Sequence, residues 1–539
     1  MSPLKCEVCH RSLNDTFDYI AISYAWGDGL DMKQLWIEGT KVMVPTSLHD
    51  ALKAVRQKKR QTLVWIDALC IDQQNTEERA AQVRLMGRIY SRAESIAIWL
   101  GPEADESSKA MELLQQVANH TESSQLIRSD KRYPDSAALL AVFKRDYWRR
   151  LWVVQEVLLA KKKMVYCGQS VLPWEVYQTA ADAFWGKDSD PHIRQGPSSF
   201  PDRNALLQLG DRSLLEIMRA CRKKLSENPR DKVFGILGLV PEVNEHKFPV
   251  DYSESVKTVY TNVVDYLIST TDQIDVIRES IHFPLHVNTT GLPSWCPDWS
   301  HIPGVAGLAP TLGFDACGST TARYQFHDER RKLEISGVRL DVIKATGVAV
   351  GTFCSSQDFL TAFIHWRAML LHEFSIQPRT MTHPMLEAFC RTLCLGQVPE
   401  TSQSWQHVCF HVFASLIREK IPRFQVDEDL AHYADATELT EPAVRRKFLQ
   451  DHFGDRIMGR SFCITEQGLL GMGSGYMTVG DMVVVPFGCA TPILVRPEGR
   501  DQYRYVGDIY VDGYMQGEEA MAQLNARQSD RVVSTYILR

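Results

Sequence analysis

The sequence predicts an α/β protein whose first domain is a doubly wound, mostly parallel sheet. A helical region and a C-terminal α+β region with a small β-barrel or sandwich follow it. Three observations carry this. Residues 61–101, QTLVWIDALCIDQQNTEERAAQVRLMGRIYSRAESIAIWLG, read as strand, turn, helix, strand. Strands and helices keep alternating on both sides of that stretch, as in layered α/β domains. Beyond residue 311 the texture changes to period-two alternation punctuated by Gly-Asp, Pro-Glu-Gly and Asp-Gly turns. The predicted domains are 1–172, 173–310 and 311–539.

In chain order, Tyr19–Ala25 (YIAISYA) is the first strand and WGDGLD the turn after it. LWIEGTKVMV reads as a short hairpin. Thr46 or Ser47 caps a helix running through Lys59, with Leu48, Ala51, Leu52 and Val55 on one face. Leu63–Ile66 is an unbroken apolar run, which suits a strand buried on both faces. Asn75 caps the next helix, with Glu78 as its capping-box partner. Val83, Met86, Ile89 or Tyr90, and Ala93 recur at helical spacing, and Ser95–Leu100 is the following strand. A long polar segment, Glu103–Asp135, holds one helix near Lys109–Asn119. Asp146 opens the third major helix, and Met164–Cys167 closes the domain. Parallel sheets place ligands beyond the carboxyl ends of their strands. Ser23, Tyr24, Trp26, Gly27, Asp28, Asp67 and Cys70 all fall at that edge.

Composition narrows the function class. The 539 residues carry a formal charge of -6, with 44% hydrophobic and 23% charged residues. That profile is globular and gives no electrostatic reason to expect nucleic acid as a partner. No apolar run has the length of a membrane span, and the N-terminus lacks a signal-peptide core. Thirteen scattered cysteines suit reduced thiols in a cytosolic or nuclear protein, and a cytoplasmic location is expected. Cys6, Cys9 and His10 form CxxCH, the spacing of a haem site or half a zinc site. No second pair follows at finger spacing, so the segment reads as an edge strand and no metal is assigned. Gly27 and the GMGSG at Gly471 read as turns rather than phosphate loops.

The third helix holds the sharpest chemical hint. Trp152, Glu156 and Leu159 or Ala160 form one stripe. The helical neighbours of Glu156, namely Trp152, Val153, Leu159 and Ala160, are uncharged. A carboxylate there is desolvated and its pKa pushed up, unless an Arg from elsewhere pairs with it or it edges out to solvent. Cys70 as a nucleophile has no base near it in sequence, and a structural cysteine is the plainer reading. Asp67 and Asp72 suit a ribose or a metal, or equally a turn.

Three ordered segments, FDYIAISYAWGD, WIDALCIDQ with QVRLMGRIYSRAESIAIWLG, and YWRRLWVVQEVLLAKKKMVYCG, resemble the motifs of fungal heterokaryon-incompatibility (HET) domains. NPRDKVFGILGL and LPSWCPDWS resemble segments downstream of those motifs in large HET proteins. The resemblance implies a role in non-self recognition and regulated cell death, with self-association and a non-self or regulatory protein partner.

ISYAWGD and WVVQEVLLAKKKMVYC also resemble the first strand and third helix of TIR domains, which implies a flavodoxin/TIR-like first domain. There Trp152, Glu156 and Ala160 fall on the TIR pattern, and the Glu of enzymatic TIR domains cleaves the nicotinamide–ribose bond of NAD. The resemblance thus implies NAD as substrate, Glu156 as catalytic residue and no required cofactor. One carboxylate suffices: nicotinamide departs neutral, and the developing oxocarbenium ion needs a negative neighbour. Trp26 or Trp152 would stack on a flat ring. A continuous helix from Asp146 places Glu156 about three turns in, away from the strand ends. The competing reading is a non-enzymatic signalling or oligomerisation module whose motifs are structural.

Overall fold

The computed structural model describes residues 3–539 except 28, 57–60, 120–132, 186–211, 241–247, 282–290, 302–306, 309, 352–355, 377–383, 400–403, 435–444, 446–447, 450–451, 500 and 518–532. The chain forms two compact units, Met1–Val259 and Tyr260–Arg539.

The first unit is built on a five-stranded sheet. Its strands are β2 (Ile20–Tyr24), β5 (Val64–Trp65), β6 (Ser95–Trp99), β7 (Lys163–Cys167) and β8 (Ser170–Pro173), in the order β5-β2-β6-β7-β8. The first four are parallel and β8 is antiparallel to β7. The chain moves outward to β5 and then back across β2 to β6, so the order reverses between β2 and β6. A separate three-stranded sheet joins β1 (Lys5–Cys6) to the hairpin of β3 (Met32–Ile37) and β4 (Thr40–Pro45). Cys6 therefore lies on an edge strand.

Side chains alternate across a strand, and here the alternation sorts the core into two layers. Ile22, Tyr24, Ala97 and Trp99 pack with Leu48, Ala51, Leu52 and Val55 of α1 (Thr46–Val55). Ala21, Ile96, Ile98 and Val165 face the opposite way. They meet α3 (Thr76–Arg92), α4 (Ser107–Asn119), α5 (Tyr133–Phe143) and α6 (Val153–Leu159). A short helix, α2 (Asp67–Cys70), follows β5 directly. As expected, Asn75 caps α3, its side chain accepting from the amides of Glu77 and Glu78. Met86, Ile89, Tyr90 and Ala93 are buried.

Several expectations are corrected. Leu63–Ile66 is not buried on both faces: β5 is an edge strand with one neighbour, Val64 and Trp65 are half-buried and Leu63 is exposed. Neither Thr46 nor Ser47 caps α1; Ser47 Oγ donates to the Trp26 carbonyl at 2.6 Å instead. The helix ends at Val55, and residues 57–60 lie outside the described ones. Glu78 accepts from the Asp72 amide at 3.1 Å and closes the loop before α3 rather than a capping box. The expected third helix is two pieces, a 3-10 turn at Asp146–Arg149 and α6.

In the second unit β10 (Lys332–Ala349) is the organiser. Its residues 337–342 pair β13 (Met482–Pro486) and its residues 343–349 pair β11 (Arg460–Thr465). The pairings then run through β12 (Leu470–Ser474), β15 (Gln502–Val511) and β14 (Ile493–Pro497) back to β13, closing a six-stranded barrel. This closure joins residues 333–350 to residues 460–512. Helices including Ser356–Glu373, Pro384–Leu393 and Trp405–Lys420 are inserted between β10 and β11. GMGSG is not a turn: Gly471 and Gly473 lie on β12. A Cβ on Gly471 would stand 2.9 Å from the Tyr510 carbonyl oxygen, so only glycine lets the strands approach there. Trp295 and Trp299 are fully buried anchors of their loop. Among the described residues no helix is long and apolar enough to cross a membrane.

Candidate active site

The break between Asp146–Arg149 and α6 decides the geometry. In one continuous helix Tyr147 and Glu156, nine residues apart, would face opposite sides. The break turns the chain so that Glu156 sits in the first turn of α6 and both residues reach the same serine. Ser23, on the α6 side of β2, donates its hydroxyl to Glu156 Oε2. Its Oγ is also 2.8 Å from the Tyr147 hydroxyl. With the Ser23 proton committed to the carboxylate, Tyr147 is the donor in that second bond. Ser23, Tyr147 and Glu156 are all buried.

The Glu156 carboxyl is pushed up to about 7, because burial strips water from its charged form. Arg150 opposes that push, Asp67 adds to it, and the Ser23 hydrogen bond opposes it. Among the described residues Glu156 makes no direct ion pair, which removes the expected Arg-paired alternative. It does not edge out to solvent either, being 4% exposed.

A second group lies at the same sheet edge. The Trp26 indole N–H donates to Asp67 Oδ2 at 3.0 Å, and the Ala68 amide donates to Asp67 Oδ1 at 2.8 Å. Desolvation raises the Asp67 carboxyl, against the pull of Arg150 and the Trp26 bond. Arg150 connects the two groups. Its guanidinium donates to the Tyr24 carbonyl and lies 5.8 Å from the centroid of the Trp26 ring, within cation–π range.

Of the residues expected at this edge, the fold joins Ser23 directly to Glu156 and Trp26 directly to Asp67. Tyr24 enters through its carbonyl, its ring buried on the α1 side. Gly27 takes a φ of 76°, a left-handed conformation suited to glycine. Asp28 lies outside the described residues. Cys70 is exposed, and its thiol is pushed up by desolvation with Asp67 adding to the shift. A nucleophilic thiol needs the opposite shift. Arg150 and Tyr147 were missed by sequence reasoning. Both lie inside YWRRLW, but a continuous helix gave no reason to place them beside Glu156.

Residues 19–156 match the family model described as Heterokaryon incompatibility protein (HET), and residues 428–530 match the Het-6 beta-barrel domain. The chain is a fungal HET-domain protein. It is 24% identical to "Heterokaryon incompatibility protein 6, OR allele" of Neurospora crassa, over 96% of this chain and 92% of that protein. No solved structure matches. The HET match begins at Tyr19 and ends at Glu156, so it contains both groups just described.

The HET domain is braced by residues beyond its match. Leu225 takes the Leu151 amide at 2.9 Å and gives its own amide to Arg149 at 2.6 Å, which fixes the break around Arg150. Lys224 Nζ donates to the Trp148 carbonyl at 2.6 Å. The buried Asp231 accepts from the Trp152 indole at 3.2 Å and from Tyr252 at 2.7 Å. The indole N–H of Trp152 is thus turned to Asp231 and not to the Glu156 group. The NPRDKVF segment is part of the support of the site.

Proposed function

We propose that this HET domain is a NAD glycohydrolase acting in fungal heterokaryon incompatibility, with Glu156 as its catalytic carboxylate. The observation that carries the proposal is a desolvated, unpaired glutamate hydrogen-bonded to the serine near the end of β2. That serine lies where the strand order reverses, the place doubly wound sheets use for ligands. The four parallel strands follow the 2-1-3-4 order of flavodoxin-like folds, with helices on both faces, which supports a TIR-like reading of the domain. In the reaction the C1′–N1 bond of NAD breaks and its electron pair leaves with neutral nicotinamide. Glu156 lies against the developing positive charge, and water adds to C1′ with loss of a proton. The Trp26 face is a platform for a flat ring, and Asp67 is placed to accept from ribose hydroxyls.

Ser23 and Tyr147 cover the carboxylate, so this reading makes the described form a resting one. Activity then depends on clustering by self-association or by a non-self or regulatory protein partner in the cytoplasm. The test is nicotinamide release from NAD by the full chain, dispersed and artificially clustered, beside Glu156→Gln. Release that disappears with the substitution supports the proposal. No release from the clustered native chain overturns it.

One observation favours a second reading, a non-enzymatic signalling and oligomerisation module. The Ser23–Tyr147–Glu156 chain is also a satisfied core network, which by itself fixes the α6 break. Under that reading Glu156→Gln leaves self-association intact and NAD untouched in every state.

A further inference from the structure

The second unit holds a cavity that neither the barrel fold nor the proposed reaction uses. Arg278, Ser280, Arg460, Ser474, Gly507 and Asp508 are among its lining residues, and it is a partly open cavity of ≈ 30 Å³. Arg460 opens β11, Ser474 ends β12, and Gly507 and Asp508 lie on β15.

The wall is built and charged. The side chains of Arg278, Arg460 and Asp508 are 3%, 4% and 6% exposed. The lining holds two guanidinium groups and one carboxylate, Asp508 pairing with Arg460 while Asp275 pairs with Arg278. Asp508 is fully engaged: Oδ1 accepts from Arg460 at 2.7 Å and Oδ2 from the Leu308 amide at 2.6 Å. Asp275, outside the lining, accepts from Arg278 at 3.1 Å. Among the described residues Arg278 Nε–H has no hydrogen-bond acceptor, the nearest Asp508 oxygen being 4.0 Å away, and the buried Ser280 Oγ has no partner.

Buried donors left unmade are costly. A guanidinium with an open Nε–H edge beside a free hydroxyl is a donor set that a tetrahedral oxyanion satisfies. Three of the lining residues, Gly307, Gly459 and Gly507, carry no side chain to fill the space.

We infer that this cavity binds a phosphate group, either as inorganic phosphate or as the terminal group of a small phosphomonoester. Arg278 and Ser280 are its donors, and Asp508 holds Arg460 in place beside it.

The test uses the purified full chain and two probes, inorganic phosphate and glucose 6-phosphate, each against chloride at matched ionic strength. The readouts are thermal unfolding and the ³¹P linewidth of the probe. Expected are a saturable rise in melting temperature and line broadening with inorganic phosphate. Ser280→Ala removes an unpartnered hydroxyl, so the fold tolerates it. It should weaken apparent affinity about tenfold or more, the value of a hydrogen bond to a charged group. Ser280→Asp, which places a second carboxylate in the cavity, should abolish binding. Response to both probes assigns the site to a phosphate carried on a larger molecule, and response to inorganic phosphate alone assigns it to the free ion. No response to either probe, or a response unchanged in Ser280→Asp, overturns the inference.

Discussion

Glu156→Gln is the substitution whose effect on stability can be worked from the structure before any activity is known. Glutamine keeps the size of the side chain and its acceptor for Ser23 and removes only the ionisation. A carboxyl that moves from 4.5 in the unfolded chain to about 7 in the folded one binds its proton more tightly when folded. Its contribution is therefore fully present below pH 4.5 and is lost as pH rises through 7. At 1.36 kcal/mol per pH unit the loss is about 3 kcal/mol at pH 8 and under about 1 kcal/mol at pH 5. Glu156→Gln should recover this loss, so its advantage over the native chain grows by about 2 to 3 kcal/mol between pH 5 and pH 8. In a unit of this size that is roughly 5–10 °C in melting temperature. Differential scanning calorimetry of the full chain at both pH values, following the transition of the first unit, measures it. A difference between the two proteins that is the same at pH 5 and pH 8 would refute the reasoning. It would mean that the folded site holds the charged carboxylate as comfortably as water does.

Two further substitutions probe the surroundings of that carboxylate. Arg150 pulls down both Glu156 and Asp67, so Arg150→Gln should raise both and deepen the loss of stability at pH 8 by about 1 kcal/mol. A double-mutant cycle with Glu156→Gln at pH 8 should show coupling, and strict additivity would exclude Arg150 as the charge that Glu156 feels. Asp231→Asn leaves one oxygen for two donors, Trp152 and Tyr252, and turns an NH₂ toward one of them. It should cost about 1–3 kcal/mol by urea unfolding at pH 7. A cost near zero would show that the downstream segment does not brace α6.

The layer structure of the first unit was legible because its signals are local. The apolar runs of β2 and β6, the Asn75 cap and the stripe on α3 are each fixed by residues close in sequence. The errors came where partners are distant. Leu63–Ile66 reads as a central strand until the sheet order makes it an edge. Thr46 and Ser47 read as caps until Trp26 offers Ser47 a carbonyl. The site itself was half legible. Glu156 was identifiable from its uncharged helical neighbours, and Ser23, Trp26 and Asp67 from their place at a strand end. Tyr147 and Arg150 were hidden because nothing local marks the break after Arg149, which Leu225 imposes from elsewhere in the chain. The barrel was legible as strands, but not the sharing of one 18-residue strand among four partners.

Under the proposed reaction, the desolvation of Glu156 bears on how a covered site becomes a working one. Above pH 7 the closed form holds a charged carboxylate that Arg150, without direct contact, compensates only in part. Hydrating that carboxylate, or placing the positive pyridinium of NAD beside it, returns up to the same 3 kcal/mol. That is a bias of roughly a hundredfold between closed and open forms, on the scale that clustering of subunits can supply or withdraw. Only the charged carboxylate stabilises an oxocarbenium ion. Both effects therefore run the same way with pH: the closed form weakens as the reactive form of the residue accumulates. In the nicotinamide-release assay, activity of the clustered chain should accordingly climb between pH 5 and pH 8. A flat profile, with release still dependent on Glu156, would place the protonation step elsewhere and leave the burial of this carboxylate a matter of folding alone.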